Sequence, residues 1–190
     1  MRIVAGAWRG RQIKAPAEGV RPTSDRAREA WMSIVGSAIH EARVLDLFAG
    51  SGALGLESLS RGATSAHFVD NSPASLAIIA ANATALGAND RAILHQADAI
   101  SFVTALKRDE YDVAFADPPY ADRLATRIAE AWLARPFAAI LGVEHHRDER
   151  LPGSEDRRKY GDTVITFYRD ETVEPDRAII SADSNTGHAK

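Results

Sequence analysis

From residue 43 onward, short apolar runs alternate with longer stretches whose apolar residues recur at helical spacing. "RVLDLF" gives way to a glycine turn and "ALGLESLSR", "TSAHFVD" to "PASLAIIAANATALG", and "RAILHQ" to "DAISFVTALKR". "YDVAFA" then leads to "DRLATRIAEAWLA", before a last apolar run, "FAAILGVEHH". Short continuous runs separated by helical segments of about 10–15 residues predict buried parallel strands with helices on both faces of the sheet. The fold class is α/β, a doubly wound and mostly parallel sheet. Beyond residue 150 the pattern changes, and "DRRKYGDTVITFYRD" reads as an antiparallel strand or hairpin at one sheet edge.

Ahead of the alternation, residues 2–5 and 11–15 read as short strands around "GAWRGR", a hairpin carrying an exposed Trp8. "EGVRPTSD" is a linker of turn residues, in which Thr23 or Ser24 caps a helix. Asp25 falls in that helix's first turn, where the dipole favours a negative charge. Ala27, Ala30, Trp31, Ile34, Val35 and Ala38 give its apolar stripe. The chain divides into an N-terminal hairpin extension, residues 1–23, a main domain, residues 24–170, and a polar tail, residues 171–190, expected to be disordered.

Charge changes this picture. Residues 1–28 hold seven basic side chains against two acidic ones, a local +5 in a chain of net charge −3, so the rest carries −8. A basic leader on an acidic body suggests a polyanion touching one end of the molecule. Arg9, Arg11, Arg21 and Arg26 are candidate phosphate contacts, since guanidinium groups bind phosphate in bidentate fashion. Thr23 and Tyr160, the latter in the basic "DRRKYG", join them as substrate candidates, and Trp8 can stack on RNA or pack on the body. The absence of cysteine removes thiolate chemistry and fits a reducing cytoplasm. The histidines lack metal-ligand spacing, so no metal is expected. No secretory signal or apolar run long enough for a membrane span is legible.

The first strand runs into "VLDLFAGSGALG", where Gly50, Gly52 and Gly55 satisfy a dinucleotide-type glycine pattern. Asp46 argues against a dinucleotide, because a carboxylate at that strand end repels pyrophosphate. It would attract a ligand bearing ammonium and sulfonium groups, as S-adenosyl-L-methionine does. Asp70 ends the next strand, 20 residues after Gly50, the spacing at which an acid reaches ribose hydroxyls. Asp98 follows the third strand, where it could meet an adenine amino group. The candidate cofactor set is Asp46, Phe48, Ala49, Gly50, Ser51, Gly52, Asp70, Asn71, Asp98 and Ala99.

"DLFAGSG" together with "DPPY" resembles the adenosylmethionine-dependent amino-group methyltransferases. "RIVAGAWRGRQI", "RPTSDRAREA", "VLDLFAGSGALGLESLSRGA", "FVDNSPAS" and "KYGDT" are similar, in order from residue 2 to about residue 168, to the RsmD-type 16S ribosomal RNA guanine-N2 methyltransferases. The resemblance implies a Rossmann-like class I methyltransferase domain of seven strands, one antiparallel. It implies a cytoplasmic monomer that methylates a guanine of small-subunit rRNA. So small a chain could hardly select one nucleotide by sequence alone, which favours a shaped RNA–protein surface such as an assembling ribosomal subunit.

Asp117, Pro118, Pro119 and Tyr120 are the candidate catalytic residues. Two prolines cannot continue a central strand, so the chain leaves the sheet there in a stiff extended form. An exocyclic guanine amine is a poor nucleophile because its lone pair is delocalised into the ring. Two acceptors on its two protons, the Asp117 carboxylate and the Pro118 carbonyl, would turn that lone pair toward the methyl donor. Tyr120 would offer a face to the extruded base. The same motif fits adenine N6 or a glutamine side chain as methyl acceptor. A nicotinamide-dependent oxidoreductase and a non-catalytic RNA-binding factor are further readings of the glycines and the basic leader.

Overall fold

Seven strands form one sheet in the order β3-β2-β1-β4-β5-β7-β6. The computed structural model describes residues 1–15, 25–153 and 156–172, with side chains described from residue 28 in the second of these segments. The expected cap at Thr23 or Ser24 and nearly all of the tail lie outside those residues. The strands are β1 (Arg43–Leu47), β2 (Ser65–Asp70), β3 (Ala92–Gln96), β4 (Tyr111–Ala116), β5 (Ala138–His146), β6 (Arg157–Tyr160) and β7 (Thr163–Arg169). β1 to β5 pair in parallel, β7 runs antiparallel to β5, and β6 antiparallel to β7. One strand, β7, therefore opposes the other six, as the change of pattern beyond residue 150 suggests.

The helices are α1 (Asp25–Val35), α2 (Ala53–Ser60), α3 (Pro73–Leu86), α4 (Ala99–Ala105) and α5 (Leu124–Ala134). α4 ends at Ala105, short of the "LKR" that the apolar pattern includes. Each face of the sheet has its own core. α1, α2 and α3 bury Trp31, Leu56, Leu59 and Ile79 on one side. α4 and α5 bury Val103, Ile128 and Trp132 on the other. Glycine makes close approach possible at two points: a Cβ on Gly55 would lie 2.3 Å from the Phe68 ring, and one on Gly142 would lie 2.3 Å from the Trp31 ring.

The basic leader packs on the first of these cores. Ile3 and Ile13 are buried in it, and Arg2 pairs with Gln12 across the hairpin, which backbone bonds from Ile3 to Arg11, Gly10 to Ile3 and Ile13 to Met1 close. The fully buried Glu57 carboxylate of α2 accepts the Val4 and Ala5 N–H groups at 2.8 and 2.9 Å. Ser60 at the end of α2 accepts the Trp8 N–H at 3.0 Å. Trp8 is half-buried, with the Arg91 guanidinium 5.1 Å over its ring, so it packs on the body rather than standing free.

Candidate active site

The sheet reverses its winding between β1 and β4, and the crevice at their carboxyl ends is where open α/β sheets take ligands. Leu47 pairs with Val69 on one side and Ala116 on the other. That register sets Asp70, Asp46 and Asp117 on three neighbouring strand ends. Asp46 is buried and accepts the Gly55 N–H at 2.9 Å. Burial pushes its carboxyl up to about 8; the Gly55 N–H opposes this, and the charges of Asp117 and Asp70 add to it.

The loop after β1 is shaped by left-handed backbone. Phe48, Gly50 and Gly52 have φ of 57°, 54° and 75°. At Phe48, a residue with a Cβ, that conformation costs on the order of 1–2 kcal/mol and persists because the surroundings fix it. Part of that fixing comes from Asp70, whose two oxygens accept the Gly50 and Ser72 N–H groups, each at 2.8 Å. Asp70 thus ties the glycine loop to the start of α3, where Ser72 is the N-cap. Asn82 of α3 adds a clamp: its side chain accepts the Lys14 N–H at 2.7 Å and donates to the carbonyls of Lys14 and Ser51 at 3.0 and 3.1 Å. The leader and the glycine loop are therefore joined through one buried amide.

Asp98 has a local structural task. It is the N-cap of α4, accepting the Ser101 N–H at 2.8 Å and its hydroxyl at 2.7 Å, and those bonds hold its carboxyl below the usual range. Ala99 is buried as the first residue of α4, and Asn71 is exposed beside Asp70.

After the buried β4, Asp117 is half-buried, Pro118 buried, and Pro119 and Tyr120 exposed. Ala121 donates its N–H to the Pro119 carbonyl at 2.7 Å. Asp122 and Arg123 follow at φ of 54° and 52°, two consecutive left-handed residues before α5. The Tyr120 hydroxyl donates to Glu144 Oε1 on β5 at 3.2 Å and lies 2.9 Å from Thr163 Oγ1 on β7. Its ring meets that of His146 edge-on, with centroids 5.7 Å apart. Sequence reasoning passes over Glu144, Thr163 and Asn82. A lone acid inside the apolar "ILGVEHH" is a usable signal for the first, whereas an asparagine in an alanine-rich helix gives almost none.

The predicted substrate residues separate in space. Tyr160 pairs across the hairpin with Thr163, whose hydroxyl meets that of Tyr120. Arg9 and Arg11 are exposed at the other end of the sheet. The Arg11 guanidinium bonds the Ala85 carbonyl near the last turn of α3. Ala85 lies three residues beyond Asn82, which bonds the glycine loop, and Trp8 beside Arg9 bonds the last residue of α2, so both arginines stand beyond that loop rather than in it. Arg21, Thr23 and the Arg26 side chain lie outside the described residues.

Residues 1–169 match the model of the family described as Conserved hypothetical protein 95. The chain is 36% identical over 158 residues to Ribosomal RNA small subunit methyltransferase D of Escherichia coli K12, covering 80% of this chain and 78% of that one. It is 33% identical over 179 residues to the protein of the same name from Haemophilus influenzae, covering 89% and 92%. Among solved structures, Escherichia coli yhhF superposes with a TM-score of 0.78 at 31% identity, over 89% of this chain and 97% of that one. A hypothetical protein of Thermus thermophilus superposes with a TM-score of 0.77 at 31% identity, over 90% and 99%. A family match that runs from the leader through β7, on a sheet of this order, leaves one assignment: the chain belongs to the Conserved hypothetical protein 95 family, the RsmD-type methyltransferases.

Proposed function

We propose that the protein transfers a methyl group from S-adenosyl-L-methionine to the exocyclic N2 amine of a guanine in small-subunit rRNA. The observation that carries this reading is the buried Asp46, its carboxyl pushed up to about 8 between Asp70 and Asp117 at the mouth of a left-handed glycine loop. Such a donor set suits a cationic ligand approached closely by backbone. S-adenosyl-L-methionine supplies, when bound, an electrophilic methyl on a positive sulfur. Asp46 offsets the ligand's positive charge, and the Phe48–Gly52 turn presents backbone to it. Asp70 accepts the Gly50 N–H and retains lone pairs for ribose hydroxyls. Asp98 and the start of α4 flank the adenine side.

Asp117 and the Pro118 carbonyl accept the two amine protons of the target base, and this aligns the nitrogen lone pair. Tyr120 presents a ring face to the base, a contact worth about 1–3 kcal/mol. Asp117 also stabilises the positive charge that develops on nitrogen. Tyr160 and the exposed Arg158, which share one face of β6, form the adjoining wall against RNA phosphate. Arg9 reaches a second phosphate region far from the target base. Two contact regions so far apart suit a folded, particle-sized substrate, in keeping with relatives named for small-subunit rRNA. The setting is the cytoplasm, and the enzyme acts as a monomer.

The test is transfer of labelled methyl from S-adenosyl-L-methionine to protein-free 16S rRNA and to small-subunit particles from a strain lacking the gene. Nucleoside mass spectrometry should find N2-methylguanosine, with particles preferred. Label on adenine or on protein would overturn the substrate assignment, and equal labelling of free RNA and particles would overturn the particle preference.

A further inference from the structure

Tyr120 is half exposed, at 50%, yet the tip of its ring is fixed at two points on two other strands. The phenol has one proton, which it donates to Glu144 Oε1 at 3.2 Å. A phenol whose proton is already committed can only accept from Thr163, so the 2.9 Å contact is a Thr163 hydroxyl donating to the Tyr120 oxygen. Glu144 sits in the middle of the antiparallel pair as the register partner of Ile165, and Thr163 opens β7 opposite His146. The His146 ring meets the tyrosine edge-on and limits its swing. At the other end, Pro119 precedes the tyrosine and has a fixed φ. A side chain restrained at both ends, with half of its surface exposed after the end of β4, is a platform of set orientation.

We propose that Glu144 and Thr163 are positioning residues that fix the Tyr120 ring, through its hydroxyl, as the surface on which the target base is stacked. The inference rests on the methyl-transfer reading above. Both residues act through the tyrosine and touch neither base nor methyl donor. Their position on β5 and β7 also means that the hairpin carrying Tyr160 and the base platform share one hydrogen-bonded support, so RNA held by the hairpin meets a ring already oriented.

The test is a double-mutant cycle on methyl transfer to small-subunit particles, using Tyr120→Phe, Glu144→Gln, Thr163→Val and the Tyr120→Phe pairs with each. Tyr120→Phe keeps the ring and is expected to lower kcat about 10-fold. Thr163→Val, which removes its donor, is expected to lower it about 3- to 10-fold, and Glu144→Gln, which keeps a neutral acceptor for the hydroxyl, about 2- to 3-fold. None should change the KM for the methyl donor, and calorimetric titration of the donor verifies that each variant folds. On the Tyr120→Phe background, Glu144→Gln and Thr163→Val should have no further effect, because the hydroxyl through which they act is gone. Additive losses in the pairs, or wild-type kcat in Tyr120→Phe, would overturn the inference while leaving the methyl-transfer reading intact. Absence of methyl transfer by the wild-type protein to any RNA would overturn both.

Discussion

The two sides of the crevice are held by different kinds of bond. On the β1–β2 side, carboxylates grip backbone: Asp46 on Gly55, Asp70 on Gly50 and Ser72. On the β4–β5–β7 side, side chains grip each other across three strands, Tyr120 on Glu144 and Thr163. Backbone donors cannot be changed by substitution and move little, which suits a pocket that must take one invariant ligand. Side-chain pairs at a half-exposed rim suit a partner that arrives already folded and must be met by an oriented surface.

If the contrast is right, Asp117→Ala should separate the two sides most completely. Turnover is expected to fall by about 10²–10³-fold or more, the scale of losing one preorganised transition-state contact. Calorimetric affinity for S-adenosyl-L-methionine should stay within a few fold of wild type. Near-normal turnover would remove Asp117 from the chemistry.

Asp46→Asn tests the other side and should be smaller, about 10- to 100-fold in donor affinity, the scale of one hydrogen-bonded charge contact. The amide can still accept the Gly55 N–H, so the fold should survive. A pH dependence accompanies the change. In the folded state Asp46 is raised to about 8 from an ordinary 3.8, so the native protein binds this proton more tightly than the unfolded chain does. Its contribution to stability is then greatest at acid pH and is lost as pH rises from about 4 toward 8. Thermal melts of Asp46→Asn should lack that decline and lie above wild type at pH 8. Donor binding that ionises Asp46 should release a proton, read as a buffer-dependent calorimetric enthalpy in wild type that shrinks in the variant. Equal proton release in both proteins would disconnect Asp46 from the ligand.

The same contrast explains what is legible from sequence. The placement of strands and helices along the chain follows from local periodicity, and the three strand-end acids follow from the rule that α/β sheets bind ligands at carboxyl ends. Asp46 and Gly55 are nine residues apart, Asp70 and Gly50 twenty, so the donor side is written in one continuous stretch. Tyr120 finds its partners 24 and 43 residues away, on strands whose pairing no local pattern specifies. Asp98 is half legible. Its place after β3 can be read, but "DAIS" also spells a helix cap, and the structure has that cap formed. The basic leader's charge reads as a polyanion touching one end of the molecule, without saying which end. The apolar Ile3 and Ile13 direct the hairpin along α2, which carries Arg9 and Arg11 to the far end.

Asn82→Ala probes whether the leader supports the donor side through its clamp. Removal leaves the buried Ser51 carbonyl and the Lys14 backbone without three bonds. Lys14 is exposed and can turn to water, so the expected loss is about 1–2 kcal/mol of stability. Donor KM should rise about 3- to 10-fold with kcat at saturation unchanged. A fall in kcat alone would place the clamp's influence on the substrate side instead.

Arg9→Ala should have the smallest effect, and it bears directly on the distance between the two regions. Arg9 is exposed in the hairpin turn, beside the Trp8 that bonds the last residue of α2, about 12 Å along that eight-residue helix from the glycine loop. A phosphate contact there contributes to RNA binding without touching alignment at the amine. RNA KM should rise about 2- to 3-fold, and the slope of log affinity against log salt should fall by about 0.7–0.9. kcat and donor affinity should not move. The salt slope is the discriminating quantity, because a merely solvated arginine would leave it unchanged. An unchanged slope would confine the RNA footprint to the Tyr120–Tyr160 wall, and the leader's role would then be to brace α2 and the glycine loop.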